Sequence, residues 1–376
     1  MKAIGADFAS VPDAFLMDDR RTRYPRIGQL ALAEPETSFS QEEVLALLGL
    51  SHDEFARRIF SRCGVERRQL NLTDEFLATT VQGRTLQIED QLFGYAVKAV
   101  DELGIDPGEI GVLVSASLYS LGGPTLAHRL VEHFEMDPAT DKYHVVGVGC
   151  ASAVPLMRLA AQTLPAHPGK RALVVAAESM TGILMGAADG DERSKTVGSS
   201  IFGDGCAAAV IDNDDGGDAR AFEDAPRGAQ TGAPAIVASR VHQIAGTLGA
   251  VRMQLAPDDS YLHLIRELPD VAGEGLCELV DEFLAAEDLT RGEIDRWLVH
   301  PGGRRIIESV QEALELSHEQ VQASYDVLAQ HGNIGTPSIF YVMKRSIERV
   351  RPRAAELGLM VTIGPGVTAG LMLLGW

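Results

Sequence analysis

The stretch HVVGVGCASAVPLMRLA, residues 144–160, places a cysteine between a short apolar run and a helix-like pattern. Cys150 is one of four cysteines, and no neighbour between Gly147 and Val154 is larger than valine. At a helix start, unpaired backbone N–H groups and the helix dipole favour an anion. The stretch therefore predicts a strand-to-helix turn whose Cys150 is a nucleophile with a depressed pKa. A small buried apolar residue is the alternative role.

The composition is that of an ordinary soluble globular chain, with 45% apolar and 23% charged residues among 376. A formal net charge of −20 argues against a nucleic-acid partner, because phosphate would be repelled. The cysteines show no CxxC spacing, which favours a reducing, cytoplasmic location. The most apolar stretch, residues 361–376, is short and interrupted by glycines, so we predict no membrane span. We also find no metal-ligand spacing.

Apolar runs alternate with helical patterns from about residue 95 onward. The runs include IGVLVSAS, RALVVAAES and LMVTIGPG. Continuous apolar runs between helices are typical of buried strands in a mixed or parallel sheet. The chain is therefore predicted to be α/β, with helices covering the faces of the sheet.

The two halves of the chain share landmarks in the same order, which indicates an internal duplication. The matching pairs are DPGEIGVLV (106–114) with TRGEIDRWLV (290–299), and Gly149-Cys150 with Gly332-Asn333, each expected to open a helix. Each half then ends in a Gly-x-Gly turn beside an apolar strand. We place the halves at residues 1–220, carrying the cysteine, and 221–376. Pseudo-twofold packing of such halves would bring Cys150 and Asn333 to one shared centre.

Two further polar residues lie in turns of small residues. His300 ends the apolar run WLVH before PGG, and Asn333 lies in HGNIGTPS. Together with Cys150 they could form a thiolate–imidazole pair with an amide donor. Papain-like hydrolases share this order but carry an aromatic directly after the cysteine, which is absent here. A thiol hydrolase is therefore a weaker alternative, and a binding protein with an inert cysteine is a third.

From about residue 55 to the C-terminus, the chain resembles the thiolase superfamily, and most closely the type III polyketide synthases of the chalcone synthase kind. The motifs that carry the resemblance are Gly149-Cys150, FGDG from Phe202 to Gly205, HPGG from His300 to Gly303, Gly332-Asn333, and the loop Gly364-Pro365-Gly366. The resemblance implies a thiolase-like, internally duplicated fold layered α/β/α/β/α, and a homodimer.

The same resemblance implies decarboxylative Claisen condensation of malonyl-CoA onto an acyl-CoA starter held as a thioester on Cys150. His300 and Asn333 would donate hydrogen bonds to the malonyl thioester carbonyl and stabilise the enolate. CoA thioesters are then substrates, and no cofactor or metal is expected. The segments GCASAV and HGNIGTPS depart from the usual family residues. They leave open a ketoacyl-ACP synthase III-like enzyme using acyl-ACP, or an acyltransferase of the same fold.

The expected substrate pocket contains more aliphatic residues than is usual in the family. Phe202 falls at the position of an aromatic gatekeeper, and Leu262 replaces a second aromatic. Met253 replaces a glycine on the pocket floor, and Ile183 or Leu184 replaces a threonine. Burying polyketone carbonyls without partners is costly. The pocket therefore predicts a fatty or branched acyl-CoA starter and a short product such as a pyrone.

A basic segment is the candidate site for the CoA phosphates. FARRIFSRCGVERR, residues 55–68, holds five arginines in an acidic protein. Arg58 and Arg62 are one helical turn apart and can meet a phosphate on one face. A solvated helix face is the alternative for the same residues.

Overall fold

The computed structural model describes residues 24–120, 122–184, 192–213, 233–255 and 260–376. The strands are β1 (Arg26–Ala33), β2 (Ser38–Ser40), β3 (Arg67–Gln69), β4 (Ile110–Ala116), β5 (Asp141–Val145), β6 (Arg171–Ser179), β7 (Asp204–Asp212), β8 (Ala235–Gln243), β9 (Val251–Leu255), β10 (Ser260–Leu264), β11 (Arg296–Val299), β12 (Leu357–Gly364) and β13 (Thr368–Gly375). The helices are α1 (Gln41–Leu47), α2 (Glu54–Phe60), α3 (Asp74–Ala78), α4 (Val81–Leu103), α5 (Leu126–His133), α6 (Ala153–Thr163), α7 (Thr181–Leu184), α8 (Glu192–Ile201), α9 (Leu268–Glu274), α10 (Leu276–Ala285), α11 (Arg304–Ala313), α12 (Gln322–His331) and α13 (Ser338–Arg349).

Within these ranges, nine strands form one mixed sheet in the order β11-β12-β13-β8-β1-β7-β6-β4-β5. On one side of the sheet, β1 pairs antiparallel with β7, β7 pairs antiparallel with β6, and β6 pairs parallel with β4. On the other side, β8 pairs antiparallel with β13, β13 pairs antiparallel with β12, and β12 pairs parallel with β11, which is the same series. The repeated pairing accords with the duplicated motifs of the sequence. The predicted boundary at residue 220 lies outside the described residues, and the division into two halves there stays a prediction.

Strand β6 explains why the central runs are continuously apolar. Ala172 and Val174 pack into the core on the face covered by α6 and α13. Leu173 and Val175 pack into the core on the opposite face, against α4. A strand covered on both faces needs apolar residues at every position rather than at alternate ones. The predicted mixed α/β class, with helices on both faces, is therefore confirmed.

The local structure at the two expected helix starts differs from the prediction. A 3-10 turn at Gly149–Ala151 follows β5, and α6 begins only at Ala153. Gly332 ends α12, and α13 begins six residues later at Ser338. Asn333 thus follows a helix end rather than opening a helix or ending a strand. The backbone of Gly332, with φ +69° and ψ −162°, lies outside the helical region and stops α12 there.

Candidate active site

Residues from both halves of the chain line one cavity of about 80 Å³. Cys150 and Glu178 come from the first half, and His300 and Asn333 come from the second. Much of the remaining lining is apolar and includes Leu118, Met180, Phe202, Leu262, Ile306 and Ile363. The structure therefore brings the three predicted polar residues to the same apolar space.

The turn that carries Cys150 is fixed by close contact with the loop after β12. Gly149 has φ +55°, and a Cβ there would lie 2.8 Å from the Cδ of Pro365. A Cβ on Gly364 would lie 2.7 Å from the backbone nitrogen of Ala151. Contacts of this length exclude any side chain, so both positions require glycine. The two glycines allow the second half to hold the backbone around the cysteine.

The turn that carries Asn333 is fixed by main-chain hydrogen bonds with the end of α8 and with the FGDG segment. The Asn333 N–H donates to the Ile201 carbonyl at 2.7 Å, and the Gly203 N–H donates to the Asn333 carbonyl at 3.0 Å. A Cβ on Gly332 would lie 2.5 Å from the Ile201 oxygen. These contacts explain why a glycine precedes the asparagine and why FGDG lies beside it in space.

The side-chain amide of Asn333 has a defined orientation. Its Oδ1 accepts a hydrogen bond from the Gly335 N–H at 2.8 Å, and its Nδ2 donates to the Gly302 carbonyl at 3.3 Å. Because only the oxygen can accept from Gly335, the amide nitrogen must face the other way. The Cys150 Sγ lies 4.0 Å from Oδ1. One of the two N–H groups on Nδ2 is left for a ligand in the cavity.

His300 is a neutral imidazole in this site. It follows β11, is 1% exposed, and has no hydrogen-bond partner at either ring nitrogen among the residues the structure describes. Burial lowers the pKa of His300 to about 3. A buried unpaired polar group is costly unless something else binds it. The neutral ring therefore has one N–H that can donate to a bound substrate and one nitrogen that can accept a proton.

Glu178 is a fourth polar group, which the sequence analysis missed. It is 2% exposed near the end of β6, and its Oε2 accepts from the Leu118 N–H at 3.0 Å. The Thr336 hydroxyl bridges the two halves here, because it lies 2.9 Å from the Gly149 carbonyl and 3.5 Å from Oε1 of Glu178. Burial raises the pKa of Glu178 to about 8. The signal in the sequence is a carboxylate ending the apolar run RALVVAAES, where a charge is unexpected.

The thiol of Cys150 does not have the depressed pKa that its position predicted. The residue is half-buried as a whole, but its sulfur is enclosed. Burial, with a further contribution from the Glu178 carboxyl, raises the pKa of Cys150 to about 12. Desolvation disfavours the charged thiolate and is the largest contribution to this shift. The thiol is therefore protonated in the free enzyme at neutral pH.

Two of the predicted pocket residues form a packed pair in the lining. Phe202 is 4% exposed and Leu262 is 2% exposed. Both lie over Gly198 of α8, where a Cβ would be 2.6 Å from Leu262 and 3.3 Å from Phe202. Met253 pairs with Leu262 across the β9–β10 hairpin. The side chains of Met253 and Leu184 lie outside the described part of the structure.

The remaining predicted residues lie around the cavity rather than in its lining. Gly303, with φ +148°, precedes the first residue of α11. The Gly366 carbonyl accepts from the Thr247 hydroxyl at 2.8 Å, which anchors the loop that contacts Gly149. Arg58 and Arg62 are exposed in and just after α2, outside the cavity lining.

The described residues bear on metal binding and on membrane insertion. No group of three or more His, Cys, Asp or Glu residues there is arranged to hold a metal ion. No helix in that part of the chain has both the length and the apolar character needed to cross a bilayer.

A duplicated α/β sheet with a thiol, an imidazole and an amide at the junction of its halves is the arrangement of a thiolase-like condensing enzyme. Residues 32–223 match the family described as FAE1/type III polyketide synthase-like protein. Residues 235–375 match the C-terminal domain of chalcone and stilbene synthases. The chain belongs to the type III polyketide synthase family.

Individual relatives agree with this assignment along most of the chain. The 3,5-dihydroxyphenylacetyl-CoA synthase of Streptomyces toyocaensis is 29% identical over 94% of this chain and 90% of the relative. The alpha-pyrone synthesis polyketide synthase-like Pks18 of Mycobacterium tuberculosis is 30% identical over 73% of this chain and 67% of the relative. The crystal structure of PKS-I from the brown alga Ectocarpus siliculosus superposes with a TM-score of 0.83 at 27% identity, covering 95% of this chain and 100% of that one.

These matches confirm the predicted thiolase-like fold and the predicted class of reaction. The protein is a type III polyketide synthase-like condensing enzyme.

Proposed function

We propose that Cys150 carries the acyl chain as a thioester, and that His300 and Asn333 form the site where malonyl-CoA loses CO2. One observation carries the proposal. The three side chains meet at one apolar cavity, in which the His300 ring nitrogens and one Asn333 N–H have no partner among the described residues. Donors placed in advance around a developing oxyanion are typically the largest contribution to such catalysis.

In the loading step, the Cys150 sulfur attacks the thioester carbonyl of an acyl-CoA starter. The thiol proton passes to His300, and the CoA sulfur leaves with that proton. A thiol pKa of about 12 beside an imidazole pKa of about 3 makes a preformed ion pair scarce. The proton therefore moves as the sulfur attacks, and the free enzyme is a poor target for thiol reagents.

In the extension step, His300 and Asn333 donate hydrogen bonds to the thioester oxygen of malonyl-CoA. Loss of CO2 leaves an electron pair on the adjacent carbon, and the two donors stabilise the resulting enolate oxygen. That carbon attacks the acyl group on Cys150, and the cysteine sulfur leaves and regains a proton. Both donors are neutral, so neither adds a net charge that would hold the charged malonyl carboxylate in place.

We further propose an aliphatic starter and few extensions. The cavity of about 80 Å³ is lined mostly by apolar side chains. The apolar lining has few groups to pair with the carbonyls of a long polyketone, and burying them unpaired is costly. A short pyrone carries few carbonyls to bury, and one relative is named for alpha-pyrone synthesis.

We also propose that Arg58 and Arg62 contact the phosphates of CoA. Both are exposed on the α2 segment, which packs against α8, the helix that leads into Phe202. The double variant Arg58→Ala/Arg62→Ala should raise KM for malonyl-CoA by roughly tenfold and leave kcat nearly unchanged. Arg57→Ala, an exposed neighbour on the same helix, is the matched control. An equal rise in KM for the control would contradict a specific phosphate contact.

The expected assembly is a homodimer in the cytoplasm. Strand β5 is one of the two edge strands of the nine-stranded sheet, and Val146, directly after it, is 42% exposed. An unpaired edge strand is a ready surface for a second copy. Light scattering on purified enzyme should give twice the chain mass of 40.3 kDa. A monomer at micromolar concentration would contradict this assignment.

Intact-protein mass spectrometry tests the proposed chemistry. Incubation with an aliphatic acyl-CoA should give a stable acyl adduct that peptide mapping locates on Cys150. Rapid turnover of the adduct with bulk hydrolysis of the acyl-CoA would indicate a thiol hydrolase instead. Absence of any adduct would indicate a binding protein with an inert cysteine.

A further inference from the structure

Arg68 is a fully buried arginine that takes no part in the chemistry proposed above. It lies in β3, is 0% exposed, and donates from Nη2 to the Ser199 carbonyl at 2.5 Å. Its Nε and Nη1 have no hydrogen-bond partner among the described residues. Burial lowers its pKa only to about 10, so the group remains a cation at neutral pH. A buried, incompletely paired cation is costly to fold, so its place in the molecule calls for a reason.

The guanidinium lies at the C-terminal end of α8, where carbonyl groups lack partners within the helix. Ser199 O accepts from Arg68, and Ser200 O accepts from the Gln41 Nε2 at 2.7 Å. A cation also interacts favourably with the negative end of the helix dipole. Arg68 and Gln41 therefore cap α8 from a different part of the chain.

The end of α8 leads directly to the main-chain groups that hold Asn333. The Ile201 carbonyl and the Gly203 N–H bond the backbone of Asn333 on either side. The stem of Arg68 also lies under both glycine positions of this contact. A Cβ on Gly203 would be 3.6 Å from the Arg68 Cβ, and a Cβ on Gly332 would be 3.5 Å from the Arg68 Cδ.

We propose that Arg68 is a positioning residue for Asn333, acting through the end of α8 and the FGDG segment. Its guanidinium fixes the last turn of α8, and its stem supports the two glycines at which that segment and the Asn333 turn meet. This inference rests on the proposed role of Asn333 in decarboxylation. Cys150 is held by the loop after β12 instead, so acyl loading does not depend on Arg68 in the same way.

Two partial reactions separate this role from a general effect on folding. The variant Arg68→Met keeps the apolar stem but removes the cation. Release of CO2 from malonyl-CoA should fall by roughly tenfold or more, because displacement of a catalytic group by about 1 Å can cost up to 100-fold. Acylation of Cys150 by an acyl-CoA, measured on the same folded sample, should change by less than about twofold. Arg68→Lys, which keeps the charge, should recover part of the decarboxylation rate.

Arg296→Met is the matched control, because Arg296 is also buried, at 8% exposure. Its Nε donates to the Glu356 carboxylate at 2.8 Å, and neither residue lines the cavity that holds Cys150 and Asn333. It should lower Tm without changing the ratio of the two partial rates. Gln41→Leu is the milder variant if Arg68→Met fails to fold. It removes the hydrogen bond to the Ser200 carbonyl and should lower CO2 release a few-fold, while acylation of Cys150 stays unchanged.

A double-mutant cycle gives the decisive outcome. In an Asn333→Ala background, Arg68→Met or Gln41→Leu should cause almost no further loss of CO2 release, because residues acting through one another are not additive. Equal losses in both partial reactions, or full additivity, would overturn the inference while leaving the role of Asn333 intact. Normal CO2 release by Asn333→Ala alone would instead overturn the proposed function.

Discussion

The turn that carries Cys150 and the turn that carries Asn333 hold corresponding places in the two halves, yet they are built in different ways. Gly149 is in the left-handed region and meets a side chain, that of Pro365. Gly332 adopts a more extended backbone and meets the main-chain oxygen of Ile201. In both cases the contact comes from the other half of the chain. Each half therefore positions the proposed catalytic group of its counterpart.

The two turns also differ in electrostatic environment. Cys150 lies near the buried carboxyl of Glu178, which contributes to the raised thiol pKa. The Asn333 amide is held by two backbone groups, the Gly335 N–H and the Gly302 carbonyl. The two turns thus carry a protonated thiol and a neutral, fixed amide, which suit the proposed roles of nucleophile and hydrogen-bond donor. The difference arises from the neighbours of each turn rather than from its fold.

The largest expected effect follows from breaking the nucleophile turn. Gly149→Ala places a methyl group 2.8 Å from Pro365, so the turn must shift. Acylation of Cys150 should fall by roughly 100-fold, as expected for displacement of a reacting group. Gly147→Ala is the control, since Gly147 also has positive φ but no atom near its Cβ position. If stopped-flow measurements show equally slow acylation in both variants, backbone strain alone explains the loss and the contact with Pro365 does not.

Breaking the asparagine turn should affect the other partial reaction. Gly332→Ala forces a methyl group to 2.5 Å from the Ile201 carbonyl, which displaces the main-chain contact of Asn333. CO2 release from malonyl-CoA should fall by roughly 30-fold, short of full loss of an oxyanion donor. Gly169→Ala, with φ +73° and open space around it, is the control. A rate of CO2 release close to wild type would show that the turn tolerates displacement.

A smaller effect concerns the reactivity of the thiol with pH. Glu178, with a pKa of about 8, is mostly protonated below that pH and ionised above it. The ionised carboxylate disfavours the Cys150 thiolate, so Glu178→Gln should alkylate faster than wild type, by roughly tenfold, only above pH 8. Iodoacetamide rates measured across pH, with Cys150→Ala to identify the labelled residue, check this. If the ratio of the Glu178→Gln rate to the wild-type rate does not change with pH, the carboxyl of Glu178 does not influence the Cys150 thiol.

The smallest expected effect is a shift in substrate preference. Gly198→Ala pushes the end of the Leu262 side chain, 2.6 Å from the new methyl group, toward the cavity. The ratio of kcat/KM for longer over shorter acyl-CoA starters should fall a few-fold, because the pocket loses about the space of one methylene group. Leu262→Ala in the same chain should restore it. Gly94→Ala in α4 is the helical control with open space, and a similar shift there would remove the steric explanation.

The sequence was sufficient to predict the sheet class and the three polar residues of the cavity. Cys150, His300 and Asn333 each lie in a run of small residues, and small residues are required where backbones approach closely. The duplication also predicted that the Cys150 and Asn333 turns would meet. These features are local in the chain, so the sequence alone is enough to predict them.

Other features depend on packing between distant segments and were wrong or missed. The raised pKa of Cys150 comes mainly from burial, which the local pattern around the turn does not reveal. Glu178 gains its importance from contacts with Leu118 and Thr336, far apart in sequence. Asn333 does not open the following helix, which begins only at Ser338, and Gly332 instead fits its backbone against the Ile201 carbonyl. Each of these is decided by the other half of the chain.

The most direct test of the division of labour between the two turns compares Cys150→Ala and Asn333→Ala in the same two assays. Cys150→Ala should form no acyl adduct from acyl-CoA by intact mass, yet should still release CO2 from malonyl-CoA. Asn333→Ala should form the adduct at a rate near wild type, while its CO2 release falls by roughly 100- to 1000-fold. Loss of both partial reactions in both folded variants, or CO2 release by Asn333→Ala at the wild-type rate, would contradict the assignment.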